Sequence, residues 1–314
     1  MNETVSAVIL TQGLRDELKD VLHSITEQDP PFHEVIVVNN SNMRLDLSSL
    51  GEFAKNISIL TIGGNFGTSA RNMGGALTNS DFVVFIDDDI VLSQRDTVKR
   101  VSAALSSSDP PSAICFKVTS PESDEFQPLS WGHPRDRLEW QDKPFETDCI
   151  TEGAFAIDSR VFKEVGGFWP GIFIGQEDVD LFLRLLHVEG KVEYLPQIQC
   201  KHLHSMDGRQ ALRGFYHYSR SSILIGWRHL PFKTALAFLF RCYIMLALQS
   251  IRSINLLSPI YILAGFFDGL CWIVGGSVSR NPISLEEKLR WKRIRSNVPP
   301  AWRRLWNQLK QRNL

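Results

Sequence analysis

Cysteine is scarce and shows no pairing pattern. The five residues Cys115, Cys149, Cys200, Cys242 and Cys271 are scattered, odd in number and contain no CxxC pair. That spacing speaks against a disulfide framework and against a zinc site, and it suits small buried hydrophobes in a reducing compartment. Net charge is nearly absent as well, −1 from 34 basic and 35 acidic residues. No global field therefore gathers nucleic acid. Neither GxGxxG nor GxxxxGK followed by Ser or Thr occurs, so the common glycine-rich phosphate loops are missing. A secretory leader is not expected: Met1-Asn2-Glu3-Thr4 carries no basic stretch, and the apolar run Val5 to Leu10 is too short. The chain is expected in the cytosol.

What is present suits a globular α/β protein. Apolar residues make up 43% of the 314 and charged residues 22%, enough for a real core in one large domain or two modest ones. Buried-strand runs at 5–10, 34–38, 57–62 and 82–86 alternate with helical spacing at Leu14, Leu18, Val21, Leu22 and Ile25, and at Ala70, Met73, Ala76 and Leu77. Such alternation predicts a Rossmann-like, mostly parallel sheet covered on both faces. Three of the runs end directly in polar residues: Thr11-Gln12, Asn39-Asn40-Ser41 and Asp87-Asp88-Asp89. In open α/β sheets that is where ligands bind.

Residues 107–150 are rich in Pro, Ser and charge and read as a loop-rich insert that shapes an acceptor site. Pattern returns from Thr151 to His204, with a helical stripe of Val179, Phe182, Leu183 and Leu186. Asp180 and Arg184 sit four apart on that helix, a modest ion pair at best. Composition shifts after about 210, which divides the chain into 1–210 and a helical region 211–314. There, 234–251 and 254–276 are long apolar stretches broken by Arg241, Pro259 and Asp268. They predict interfacial or re-entrant helices, or a helical pair packed on the catalytic domain. In the basic tail, Trp302, Leu305, Trp306 and Leu309 share one face of a final helix. That composition fits an anionic membrane surface, or an amphipathic helix docked on its own protein.

Three segments carry chemistry. Adjacent carboxylates at Asp87, Asp88 and Asp89 repel unless a cation or donors compensate, and Mg²⁺ takes one or two carboxylates together with substrate phosphates. Glu177-Asp178 opens the amphipathic helix, where acids are ordinary, but a carboxylate there can also deprotonate an acceptor hydroxyl. His202 and His204 alternate along a strand, so one imidazole can stand beside a metal. Gly63-Gly64-Asn65-Phe66-Gly67 precedes a helix bearing Arg71, which can meet a diphosphate.

Taken in order, Thr11, Asn39-Asn40-Ser41, Asn65-Phe66-Gly67, Arg71-Asn72-Met73-Gly74, Asp87-Asp88-Asp89, Thr151-Glu152-Gly153, Val165-Gly166-Gly167-Phe168 and Glu177-Asp178-Val179-Asp180 resemble the GT-A glycosyltransferases of family 2. Tyr216 to Arg220 and Arg228-His229-Leu230-Pro231 are similar to the rhamnosyltransferase-like and galactofuranosyltransferase-like branches. The resemblance covers about residues 5–230. It implies a GT-A fold with a C-terminal helical, membrane-associating extension. It also implies single displacement with inversion from a nucleotide-sugar donor, aided by Mg²⁺ or Mn²⁺, onto a glycan or lipid-linked acceptor in cell-surface polysaccharide or glycoconjugate synthesis. Carried over residue by residue, Asp178 is the base, and Glu177 orients acceptor or donor. Thr11, Asn39, Asn40, Asn65, Arg71, Asp87 and Asp88 line the donor pocket. Asp89, His202 and Asp87 serve the metal. Glu152, Trp131 and His204 fall on the acceptor side. Asn39 stands where family members commonly carry Asp against the nucleotide base, so base preference is open. The implied location is cytoplasmic, peripheral at the inner face of the cell membrane, with no nucleic-acid partner and with homo-oligomerisation left open. Two alternatives stand beside this reading. One is a non-catalytic nucleotide-sugar-binding or membrane scaffold. The other is a haloacid-dehalogenase-like phosphohydrolase with Asp87 as nucleophile.

Overall fold

The structure is a computed structural model that describes residues 3–47, 56–121, 131–151, 153–203, 211–296 and 298. The expected tail helix bearing Trp302, Leu305, Trp306 and Leu309 lies outside the described residues.

The amino-terminal half is built from β1 (Val5–Thr11), α1 (Asp16–Thr26), β2 (Val35–Asn39), β3 (Ile57–Thr61), α2 (Arg71–Leu77) and β4 (Phe82–Asp87). These strands are parallel to one another, with Ile9 opposite Val37 and Ile86. Val8 points into one apolar layer and Ile9 into the other, so a continuous apolar strand serves both faces. β3 departs from expectation: it is an edge strand with a half-exposed pattern rather than a buried run.

The second half completes the sheet with β5 (Ile90–Leu92), α3 (Thr97–Leu105), β6 (Ala113–Thr119), α4 (Arg137–Trp140), β7 (Phe145–Glu146), β8 (Ala154–Asp158), α5 (Ser159–Glu164), α6 (Glu177–His187) and β9 (Val192–His202). The strand order is β3-β2-β1-β4-β8-β6-β9-β5, with β7 also on β9. β8 runs against its neighbours β4 and β6, while β6 and β9 are parallel. The supposed loop-rich insert therefore holds a central strand. β6 closely follows Pro110-Pro111, which hid it among turn residues. Gly74 lets α2 press onto the sheet: a Cβ there would meet Val8 at 2.5 Å and Val38 at 2.9 Å.

A register shift in β9 matters most for the site. Phe116 faces Leu195, yet Lys117 faces Gln199, so the strand bulges around Pro196. Proline lacks the N–H a ladder needs, and a bulge is where a strand accommodates it. Beyond the bulge β9 turns to β5 and sets His202 opposite Ile90, one residue past Asp89.

Among the described residues four helices follow: α7 (Ala211–His229), α8 (Phe232–Ser253), α9 (Ser258–Val274) and α10 (Leu285–Ile294). The two apolar stretches form α8 and α9. Ala235, Phe238, Cys242, Ile283 and Ile294 join the same apolar layer as Phe85 and Leu181, so the helical region packs on the sheet domain. At the heart of that layer Phe85 stacks on Phe155 at 5.2 Å and tilts onto Phe162 at 4.8 Å. Removing a fully buried phenyl leaves a cavity the sheet cannot close. Phe85→Ala is expected to lower unfolding stability by about 3–5 kcal/mol, read from urea denaturation with an unchanged slope.

Candidate active site

The carboxyl ends of β1, β2 and β4 converge on one cleft edge. Thr11 closes β1 and donates its hydroxyl to Asp88 Oδ2 at 2.7 Å and to the Gly13 carbonyl at 2.6 Å. Arg15 Nη1 stands 3.6 Å from Asp88 Oδ1. Burial pushes the Asp88 carboxyl up, with Asp87 and Asp89 adding to it and Thr11 and Arg15 opposing. Asp88 thus points inward, to the end of β1.

Its two neighbours take different partners. Asp87 Oδ1 accepts from Arg71 Nη2 in a close ion pair. Arg71 is buried and also lies 5.5 Å over the Phe168 ring. Asp87 packs against Gly153, whose φ is +66° and where a Cβ would stand 2.2 Å from the Asp87 carboxyl carbon. Only glycine permits that approach. Asp89 faces His202 instead, with Oδ2 3.2 Å from Nε2, and its carbonyl accepts from the Leu203 N–H at 2.8 Å.

The asparagines build the loops. Asn40 Oδ1 accepts from the Phe66 N–H at 2.8 Å, and its Nδ2 donates to Asn65 Oδ1 at 3.1 Å and to the Gly67 carbonyl at 3.2 Å. Asn65 Oδ1 accepts from the Gly67 N–H at 3.0 Å. Asn39 departs from its expected place against a nucleotide base. Its side chain is fully buried, donating to the Met43 carbonyl at 2.6 Å and to Thr61 Oγ1 at 3.2 Å while accepting from Ser41 Oγ at 3.0 Å. An amide with both ends engaged shapes the loop after β2 rather than lining the cleft.

Across the cleft, Gly175 at φ +83° and Gln176 at φ +68° turn the chain sharply into α6. A non-glycine residue in that region is strained and must be held. Gln176 Nε2 is held by the Tyr218 carbonyl at 3.0 Å and by Ser222 Oγ at 2.5 Å, both on α7. Glu177 and Asp178 then open the helix. Glu177 is 3% exposed, and its Oε2 has no hydrogen-bond partner among the described residues. Burial pushes both carboxyls up, and the Asp178 charge adds to the rise at Glu177. Asp148 pushes Asp178 in the same direction. Backbone N–H groups at the helix start oppose it.

Asp180, one turn in, is the opposite case. It accepts from Arg184 Nε at 2.9 Å and Nη2 at 2.6 Å, and from His229 Nε2 at 2.8 Å. Burial alone would raise its carboxyl, but the His229 bond and the Arg184 charge outweigh that and hold it below the usual range. The expected modest helix ion pair is in fact a buried network, because Arg184 also ties the Val165 carbonyl at 2.5 Å and His229 comes from α7. Trp131, expected on the acceptor side, sits half-buried in an aromatic cluster 4.8 Å from His133 and 5.4 Å from Tyr194, and its indole N–H donates to the Arg135 carbonyl at 2.9 Å. Glu152 and His204 lie outside the described residues.

The model of the family "Glycosyl transferase family 2" matches residues 6–166, about half the chain. This chain belongs to glycosyl transferase family 2. No curated protein matches the sequence. Among solved structures, residues 1–349 of TarS from S. aureus superpose with a TM-score of 0.57 at 16% identity, over 88% of this chain and 83% of that one. The mannosyltransferase PcManGT from Pyrobaculum calidifontis, in complex with GDP-Man and Mn²⁺, gives 0.52 at 15% identity over 87% and 88%. GalNAc-T7 with UDP, GalNAc and Mn²⁺ gives 0.51 at 16% identity over 72% of this chain, which spans 48% of that protein. The shared architecture is the GT-A fold. The phosphohydrolase alternative falls with this membership.

Sequence reasoning missed several groups in this family 2 site. Arg15, Gln176, Asp148 and the Asp180–Arg184–His229 network carried no local signature. His229 stood in a quoted motif without a role, and only the return of α7 over α6 reveals its partner. The raised carboxyls have a stability consequence. A carboxyl whose folded pKa lies above its unfolded value favours folding at acid pH, and that contribution is lost as pH rises through the folded pKa. Glu177 and Asp178 therefore weaken the fold at neutral pH. Glu177→Gln is expected to raise the melting temperature at pH 7, with the gain shrinking as pH is lowered toward 4. Calorimetric scans across that range check it.

Proposed function

We propose that this family 2 protein moves a sugar from a nucleoside-diphosphate donor to a hydroxyl of a glycan or lipid-linked acceptor, with inversion and with dependence on a divalent cation. The carrying observation is the unequal treatment of the cleft acids. Asp87, Asp89 and Asp180 each face a cationic or imidazole group, whereas Glu177, buried, and Asp178, half-buried, both have raised proton affinity. A carboxylate of raised pKa is the better proton acceptor near neutral pH.

In this reading Asp178 takes the proton from the acceptor hydroxyl. The acceptor oxygen bonds to the anomeric carbon as the bond from that carbon to the donor's phosphate oxygen breaks, and the electron pair leaves on the nucleoside diphosphate. Glu177, behind Asp178, orients the sugar or the acceptor. Arg71 faces the leaving diphosphate once the donor competes with Asp87 for it. Thr11 and Asn40 keep the strand ends and the 63–67 loop in place for the nucleotide.

Asp89 and His202 fit a hard divalent cation. One carboxylate oxygen and one imidazole nitrogen face each other 3.2 Å apart. With these two holding the ion, donor phosphates would supply further oxygen ligands, the usual arrangement for Mg²⁺. Bound there, Mg²⁺ or Mn²⁺ offsets the charge that the leaving diphosphate gains. The neighbours with GDP-Man and Mn²⁺ and with UDP and Mn²⁺ support this reading. Five free cysteines support the cytoplasmic location proposed with it.

A panel of nucleotide sugars, assayed with Mn²⁺ or Mg²⁺ and with chelator, tests the proposal. One donor is expected to turn over only with metal. Asp178→Asn should lower kcat by about 10²–10⁴ with donor KM little changed. Donor binding without transfer to any acceptor would leave a binding scaffold, and no metal-dependent binding or turnover at all would overturn the reading.

A further inference from the structure

The largest unexplained feature is the outer face of α8 and α9. Ala235, Phe238, Cys242 and Leu246 form the seam by which α8 packs on the protein. The opposite side of the same helix is apolar too, with Phe240 70% and Ile251 73% exposed. The link to α9 presents Ile254 and Leu256, and α9 presents Ile260 and Phe267, all well exposed. A helix apolar all round is one buried on every side, and here the protein covers only one. Patches of this kind mark an interaction surface.

Charge decides what covers it. From 232 to 280 the bases are Lys233, Arg241, Arg252 and Arg280, and the lone acid is Asp268. Asp268 is already neutralised by Arg220 Nε at 2.6 Å and by the Tyr216 hydroxyl at 2.8 Å. Arg280 is tied to the Trp227 and Leu230 carbonyls, so the exposed charges of α8 are Lys233, Arg241 and Arg252, all cationic. A second copy would set like charges against each other, whereas a bilayer with anionic headgroups accepts both properties, the apolar side chains below and the basic heads above.

Packing decides how it docks. α9 runs along α7 at close range: a Cβ on Gly265 would meet the Tyr216 carbonyl at 2.2 Å, and one on Gly269 would meet Ile223 at 2.9 Å. Ser219 ties both partners of α7, through Tyr243 Oη at 2.8 Å and the Ile262 carbonyl at 2.7 Å. α7 in turn grips Gln176 beside the candidate base. α8 is long and apolar enough to cross a membrane, but Ala235, Phe238, Cys242 and Leu246 hold one side of it on the protein.

We propose that α8, α9 and the link between them form a monotopic docking face that lies in the surface of an anionic bilayer, with the cleft held at the membrane plane by α7. The full-length protein is tested by flotation with vesicles of phosphatidylcholine alone and of phosphatidylcholine doped with phosphatidylglycerol. Strong flotation is expected with the doped vesicles and weaker flotation with phosphatidylcholine. Leu236→Glu with Phe240→Glu, both exposed, should cut flotation at least about tenfold, while Leu138→Glu, exposed on α4, leaves it intact. Metal-dependent donor hydrolysis by the double variant reports an intact catalytic fold. A dye on Leu256→Cys in a Cys271→Ser background should shift to the blue on doped vesicles, independently of the charge variant. No vesicle binding by the wild type, or no dye shift, overturns the proposal. So does a dimer in solution that the double variant dissolves while flotation is unchanged, which assigns the face to a second copy.

Discussion

Crowding of carboxylates in one cleft is the constraint on which the rest of this structure depends. Asp87, Asp88, Asp89, Glu177, Asp178, Asp180 and Asp148 all lie in or beside the cleft, most of them buried. Charges so placed raise each other's proton affinity unless each receives its own compensation. The fold supplies it from separate elements. Arg71 comes from α2, Thr11 from β1, His202 from the far end of β9, Arg184 and His229 from α6 and α7, and Trp291 and Arg295 hold Asp148 from α10. Apart from Asp180–Arg184, which lies within α6, each pairing fixes one element against another, so the electrostatics of the cleft also organise the tertiary structure. Glu177 and Asp178 receive the least compensation, and both keep a raised proton affinity.

The topology explains how residues so far apart in sequence meet. Parallel strands bring their carboxyl ends to one edge, which gathers Thr11, Asn40 and Asp87 by repetition of a single unit. His202 needs a different device. Its strand pairs with β6 on both sides of the bulge at Pro196, where the register shifts, and its last residues also pair with β5 along the other edge. The Asp89–His202 pair thus rests on a missing backbone N–H six residues away. Gly153 plays a comparable part from β8, since its lack of a side chain lets Asp87 lie flat against the backbone.

Much of this was legible in the sequence, and the legible part has a common character. Runs such as Phe82 to Ile86 announce strands by composition, and polar triplets at their ends announce a ligand edge. Asp87 to Asp89 declare themselves because three acids directly after an apolar run repel one another, whereas Glu177-Asp178, ordinary at a helix start, gain meaning only from the motifs around them. What stayed hidden depends on partners remote in sequence. β6 was masked by the prolines before it and is a strand because β8 and β9 flank it. Asn39 looked like a base contact, yet its amide is consumed by Met43, Thr61 and Ser41, which no spacing rule reports. Asp180 and Arg184 looked like an ordinary surface pair, and only burial under α7 turns them into a network.

α7 joins the two halves of the functional problem. Its inner side holds Gln176 in a left-handed conformation and sends His229 to Asp180, so it fixes both ends of the first turns of α6. Its outer side carries α8 and α9 through glycine contacts and shared hydroxyl bonds. Arg220 spans the thickness of this layer, bonding Asp268 on α9 and the Gly171 carbonyl in the loop that leads to Glu177. A displacement of the apolar helices would therefore be felt at the loop that aims the candidate base, because buried charged hydrogen bonds of this kind have no slack to absorb it. The apolar face and the cleft are mechanically one unit, so whatever covers that face bears on the geometry of the cleft.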